Sequence, residues 1–128
     1  YLTTWRKDKA IIVGYSFGAD TAPFLAARLP ADLSGRIRAI GLLGLSESAT
    51  FEFHVTSWLG VANSDRYPTA PEVRRLSVPV ICVRGEDETE SGCTRLSGSH
   101  VSVQTVGRGH HFSGEYGRIV DLILGRSS

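Results

Sequence analysis

The run Lys9-Ala10-Ile11-Ile12-Val13-Gly14-Tyr15-Ser16-Phe17-Gly18 constrains the fold more than any other part of this chain. Lys9 to Tyr15 reads as a short strand buried on both faces, as in a parallel sheet. It runs directly into Gly14-x-Ser16-x-Gly18. Phe17 to Leu29 then reads as a helix, with Ala22, Leu25, Ala26 and Leu29 at helical spacing. Pro23 falls in its first turns, where proline is tolerated, and Leu29-Pro30 ends it. A serine held between two glycines at such a junction stands on a sharp turn with its hydroxyl exposed.

The rest of the chain repeats the alternation. Ile37 to Leu43 is a second β-run, Val78 to Arg84 a third and Val101 to Val106 a fourth. Glu115 to Leu124 is a final helix, with Tyr116, Ile119, Val120, Ile123 and Leu124 on one face. Gly44 to Glu72 has no clean period, and a stretch of that length is a lid or binding insertion or hides a short helix. Gly85 to Ser99 is a polar, acidic loop. Strands alternating with helices argue for an α/β architecture with a mostly parallel sheet.

Composition narrows the partners. The formal net charge of 128 residues is only +1, without a block of like charges, so no nucleic-acid or membrane-surface partner is expected. No apolar run is long enough to span a bilayer, so no transmembrane segment is expected. Tyr1 to Lys9 is polar and does not read as a signal peptide. The two cysteines, Cys82 and Cys93, lack the spacing of a zinc motif, and neither a metal nor a cofactor is expected. They are either a buried strand thiol and an unrelated loop thiol, or a local disulfide, which implies an oxidising compartment.

A serine hydroxyl is a poor nucleophile at neutral pH. It needs a base within hydrogen-bond reach and a third group to orient that base. In α/β-hydrolases the order along the chain is serine, acid, histidine, each following a strand. Such residues meet at the C-terminal edge of the sheet. After the third strand the sequence reads Gly85-Glu86-Asp87-Glu88. Spacing favours Glu88 as the acid, with Asp87 the alternative. After the fourth strand comes Gly107-Arg108-Gly109-His110-His111-Phe112. His110 directly follows the glycine turn and is the favoured general base, with His111 the alternative. His100 precedes the fourth strand and is expected on a loop away from the chemistry. The backbone N–H of Phe17, next after Ser16, is the expected oxyanion donor. The second donor normally comes from a loop after an earlier strand. Upstream of Ser16 there is only one strand and a polar leader. The chain is therefore expected to be the C-terminal half of such a domain, weakly active or inactive by itself.

Gly14-Tyr15-Ser16-Phe17-Gly18-Ala19-Asp20, Leu42-Leu43-Gly44-Leu45-Ser46, Phe51-Glu52-Phe53-His54-Val55 with Trp58-Leu59-Gly60, and Gly109-His110-His111-Phe112 together resemble the bacterial virulence protein VirJ/AcvB family. The resemblance covers about Lys9 to Leu124, so that 1–128 form one partial α/β-hydrolase domain. It implies a periplasmic serine esterase linked to virulence and type IV secretion. The implied substrate is an aminoacyl-phosphatidylglycerol such as the lysyl lipid, with secretion-system proteins as further partners. It also implies a Cys82–Cys93 pair around the acidic loop. The contrasting expectation is a non-enzymatic periplasmic accessory of a secretion system.

Two features carry a plain and a functional reading. Asp20 is either a first-turn carboxylate complementing the helix dipole or an anionic contact for an aminoacyl ammonium or for His54. Phe51, Phe53, His54 and Trp58 are either a satellite apolar cluster under a loop or an apolar lid for a lipid chain.

Overall fold

The computed structural model describes residues 4–50 and 66–127. The chain order is β1 (Ala10–Tyr15), α1 (Phe17–Ala27), α2 (Ala31–Ser34), β2 (Ile37–Leu43), β3 (Ser48–Thr50), β4 (Arg66–Pro68), α3 (Thr69–Arg74), β5 (Val80–Arg84), β6 (Val101–Thr105) and α4 (Tyr116–Ser127). Short 3-10 turns lie at Gly92–Arg95 and Phe112–Gly114. β1, β2, β5 and β6 form a four-stranded sheet in the order β1-β2-β5-β6. Every pairing in it is parallel. β3 and β4 form a separate antiparallel pair.

The period of two along each strand builds two cores from one sheet. Ile40 and Leu42 of β2, with Val80 and Cys82 of β5, pack beneath Ala19, Ala22 and Ala26 of α1. Ala39 and Leu43, with Ile81 and Val83, face the other way, toward Ile119 and Ile123 of α4. Both faces of the central strands are thus covered, which is why β2 after Arg38 and β5 before Arg84 read as apolar runs.

The four strands of the sheet lie within a residue or two of the sequence reading. Differences fall where tertiary contacts decide. Helix α1 stops at Ala27 rather than Leu29, because the Arg28 and Leu29 N–H groups fold back to the Leu25 and Ala26 carbonyls, at 3.1 and 3.4 Å. Pro30 also disfavours helical geometry at Leu29. Pro23 does not sit in a first turn: it is inside the helix. It forgoes the bond that its position would make to Ala19, yet the helix continues through it, with the proline ring fully buried. The aperiodic segment carries α3 near its end, held by side chains. Thr69 Oγ1 donates to the Ser46 and Glu47 carbonyls at 2.8 and 3.1 Å. Glu72, buried, pairs with Arg28, just after α1, at 3.1 Å and with Arg75 at 3.6 Å.

Cys82 and Cys93 form a disulfide, and both are fully buried. It ties the turn at Gly92–Arg95 to strand β5 and closes the acidic loop between them. Among the described residues no helix is long and apolar enough to cross a membrane. For a cross-link of this sequence separation, 11 residues, chain entropy predicts about 3 kcal/mol of stability. Reduction, or the double change Cys82→Ala with Cys93→Ala, is expected to lower the midpoint of thermal unfolding by roughly 10 °C. An unchanged midpoint after complete reduction, verified by thiol titration, would refute this.

Candidate active site

All four parallel strands end on the same side, and the loops leaving them meet there. Ser16 is the residue between β1 and α1, with φ 56° and ψ −118°. A non-glycine residue in that region costs on the order of 1–3 kcal/mol. The neighbourhood holds it there. Its N–H donates to the Leu43 carbonyl at 2.8 Å, and its own carbonyl accepts from Ala19 and Asp20 at 2.9 and 3.2 Å. Gly14 makes the bend possible. A Cβ at Gly14 would collide with the backbone carbonyl of Gly18, so strand and helix approach closer than any side chain allows. The Phe17 N–H opens α1 and is one of the first-turn donors without an intrahelical acceptor.

His110 Nε2 lies 3.0 Å from Ser16 Oγ, and His110 Nδ1 lies 3.0 Å from Glu88 Oε1. The ring fits because Gly44, with φ 69°, presents no Cβ: one built there would stand 2.6 Å from His110 Cε1. Glu88 is fixed at three further points. Its Oε2 accepts from the Gly85 N–H at 3.0 Å. Its carbonyl accepts from the Arg84 guanidinium at 3.0 and 3.3 Å.

The two adjacent carboxylates therefore do different things. Asp87 faces the backbone: its Oδ1 accepts from the Gly109 N–H at 2.6 Å. That bond holds the Asp87 carboxyl below the usual carboxylate range, helped weakly by Arg108 and Arg84. His111 does not contact Ser16. Its Nδ1 is 3.0 Å from the hydroxyl of Tyr15, which also lies 3.1 Å from the His110 carbonyl.

In the sequence Tyr15 stands only as a variable position of the Gly14-x-Ser16-x-Gly18 motif. A usable signal was there. Its parity along β1 matches Ile11, which packs in the α4 core, so its ring lands on the face where the His110 turn descends. Phe112 was likewise unweighted, yet it is fully buried in that core.

Asp20 is buried rather than displayed. Its Oδ1 accepts from the Ser46 N–H at 2.8 Å, tying α1 to the loop after β2. Burial pushes its carboxyl up, against the opposing pull of that bond and of His110. His100 lies just before β6, at the opposite end of the sheet, with Nε2 3.1 Å from the Val73 carbonyl. His54 and Trp58 lie outside the described residues. Among the described residues no cluster of His, Cys, Asp or Glu could hold a metal ion.

A cleft of about 340 Å³ opens beside His110, bounded by Gly44, Ser46, Asp87, Glu88 and Glu90. Ser46, Thr89 and Glu90 also border a second hollow of about 670 Å³, which carries Arg66 and Arg95. The two share those three lining residues; the first is acidic, and the second also carries Glu47, which pairs with Arg95 at 3.0 Å.

Comparison with solved structures returns α/β-hydrolases. A meta-cleavage product hydrolase (CumD, A129V mutant) is 15% identical, with a TM-score of 0.59 over 97% of this chain and 68% of its own. An E-2-(acetamidomethylene)succinate hydrolase is 16% identical, with a TM-score of 0.53 over 94% of this chain and 68% of its own. Naproxen esterase from Bacillus subtilis is 14% identical, with a TM-score of 0.54 over 94% and 60%. At such identities the likeness is one of fold. No functionally curated protein matches the sequence significantly. The sequence profile of the bacterial virulence protein (VirJ) family matches residues 1–127, so this partial α/β-hydrolase fold, with its serine turn, belongs to a member of the VirJ family.

Proposed function

We propose that this protein is a serine hydrolase of carboxylic esters, with Ser16 as nucleophile, His110 as general base and Glu88 as the group that orients it. The observation that carries the reading is the unbroken chain from Ser16 Oγ through His110 to Glu88, each step 3.0 Å. With Nε2 accepting the serine proton, Nδ1 must carry the other ring proton and donate it to Glu88. Ser16 Oγ then attacks the ester carbonyl carbon as its proton passes to His110 Nε2. The tetrahedral oxyanion is met by the Phe17 N–H, at the positive end of α1. His110 returns the proton to the leaving alcohol oxygen as the C–O bond breaks. Water, deprotonated by the same nitrogen, releases the acid from Ser16. No cofactor takes part.

The charge pattern of the cleft supports an aminoacyl-phosphatidylglycerol-type ester as substrate. Asp87, Glu88 and Glu90 offer a place for an ammonium beside the scissile bond, while Arg66, next to an Arg95 that is paired with Glu47 at 3.0 Å, offers one for a phosphate farther along. The buried disulfide supports an oxidising location, the periplasm. A non-catalytic accessory role in type IV secretion would give no reason for a strained serine aligned on a histidine and a carboxylate.

Two outcomes are expected. The full-length wild-type protein reacts with a fluorophosphonate probe, and its Ser16→Ala variant does not. Glu88→Ala slows labelling by about 100-fold or more, because an unoriented imidazole is the wrong base, whereas Asp87→Ala slows it less. A folded full-length wild type that stays unlabelled refutes the reading. The second outcome concerns pH. The folded-state pKa of Asp87 lies below its unfolded value of about 3.9, so its contribution is present above that value. It is lost as pH falls through the lower, folded one. Urea unfolding between about pH 2 and 6 is therefore expected to show a shallower acid-side loss in Asp87→Asn than in wild type. Identical slopes would refute this.

A further inference from the structure

The turn that carries His110 is held from both sides. Asp87 grips it at the Gly109 N–H, 2.6 Å away. On the other side stands Tyr15, whose hydroxyl meets the His110 carbonyl at 3.1 Å and His111 Nδ1 at 3.0 Å. A phenol has one proton to give, and a carbonyl can only accept. If Tyr15 gave its proton to His111, two oxygens would face each other at 3.1 Å with no hydrogen between them. The arrangement satisfies both contacts only when Tyr15 donates to the His110 carbonyl and accepts from a protonated His111 Nδ1.

We propose that Tyr15 and His111 are positioning residues for His110. The hydrogen-bonded relay from His111 Nδ1–H through the Tyr15 hydroxyl to the His110 carbonyl fixes the backbone from which the imidazole reaches Ser16. The two histidines then hold their ring protons for different ends. In His110 the Nδ1 proton serves Glu88; in His111 it serves the backbone of its neighbour. The Tyr15 ring reinforces the relay, with centroids 5.3 Å from His110 and 6.1 Å from His111. Tyr15 occupies the first variable position of Gly14-x-Ser16-x-Gly18, so nucleophile and base are registered through consecutive residues of one strand end. This inference rests on the proposed role of Ser16 and His110.

The test pairs kinetics with a proton assignment. With p-nitrophenyl acetate as probe and the full-length protein as enzyme, Tyr15→Phe keeps the ring and is expected to lower kcat roughly 10- to 100-fold, the scale set by a misplaced catalytic group. KM and the thermal midpoint stay near their wild-type values. His111→Ala loses less, since the Tyr15–carbonyl bond survives. His111→Asn recovers part of that loss, because its amide N–H sits where Nδ1–H did. Imidazole 15N correlation spectra of the wild type at about pH 8, where an unperturbed imidazole is neutral, are expected to show His111 protonated at Nδ1. Tyr15→Phe with wild-type kcat, or His111 protonated at Nε2 alone, overturns the proposal. Full turnover by Ser16→Ala would instead sink the reading of Ser16. The His111 assignment does not depend on Ser16, so the two failures are distinguishable.

Discussion

The contact between β1 and α1 at Gly14 is the constraint on which the site geometry rests. Only a missing Cβ lets the Gly18 carbonyl settle against the strand. That closeness forces the chain to reverse within Ser16 and leaves the residue at positive φ. The strain is local and is offset locally: three backbone bonds at 2.8–3.2 Å hold Ser16 at both its N–H and its carbonyl. Each contributes about 1 kcal/mol net, which together matches the cost of the backbone conformation. Everything else in the site is referred to that turn. Gly44 clears space for the ring that must reach it, and the loops after β5 and β6 deliver the two remaining groups.

Those two loops are built as one object. The Gly109 backbone lies against Gly85, where a Cβ would not fit. The Glu86 N–H donates to the Gly107 carbonyl at 2.8 Å, and Asp87 accepts from Gly109. Glu88 and His110 therefore do not find each other across open solvent. They extend from two strands of backbone already bonded to one another, which lowers the entropy that their alignment would otherwise cost. The disulfide at Cys93 fixes the far end of the first loop to the core.

The sheet was legible because burial on both faces leaves a mark: apolar runs such as residues 39–43 and 80–83 call for cover on both sides. The meeting of Ser16, His110 and Glu88 was legible for a related reason, since each follows a strand and all four strands end at one edge. What could not be read is whatever depends on a partner distant in sequence. The short helix α3 has little propensity of its own, and Thr69 and Glu72 hold it through residues 22 to 44 positions away. Asp87 and Glu88 are chemically alike and adjacent, so spacing ranks them but cannot say that one serves a ring and the other a backbone. Asp20 looked like a surface charge at a helix start, and only the approach of Ser46 turns it into a buried tie. Tyr15 was overlooked because motif reading treats it as a variable position, whereas strand parity assigns it a face.

Phe112 has a consequence for motion. It lies two residues after His110, at φ 54°, with Ser113 at φ 51°, and its side chain is fully buried among Leu43, Val83, Val106 and Ile119. Left-handed backbone at two such residues costs about 2–4 kcal/mol, and burial of a phenylalanine returns about 1.5–3 kcal/mol. The turn thus stays folded only while the core beneath it stays packed. Opening it locally would draw an aromatic ring into water. The bonded amides of this turn, Phe112 to the Gly109 carbonyl at 3.2 Å and Ser113 to the Arg108 carbonyl at 3.0 Å, are therefore expected to open together with the ring beneath them. The histidine turn thereby acquires the rigidity of the hydrophobic core while remaining open to solvent on its outer side.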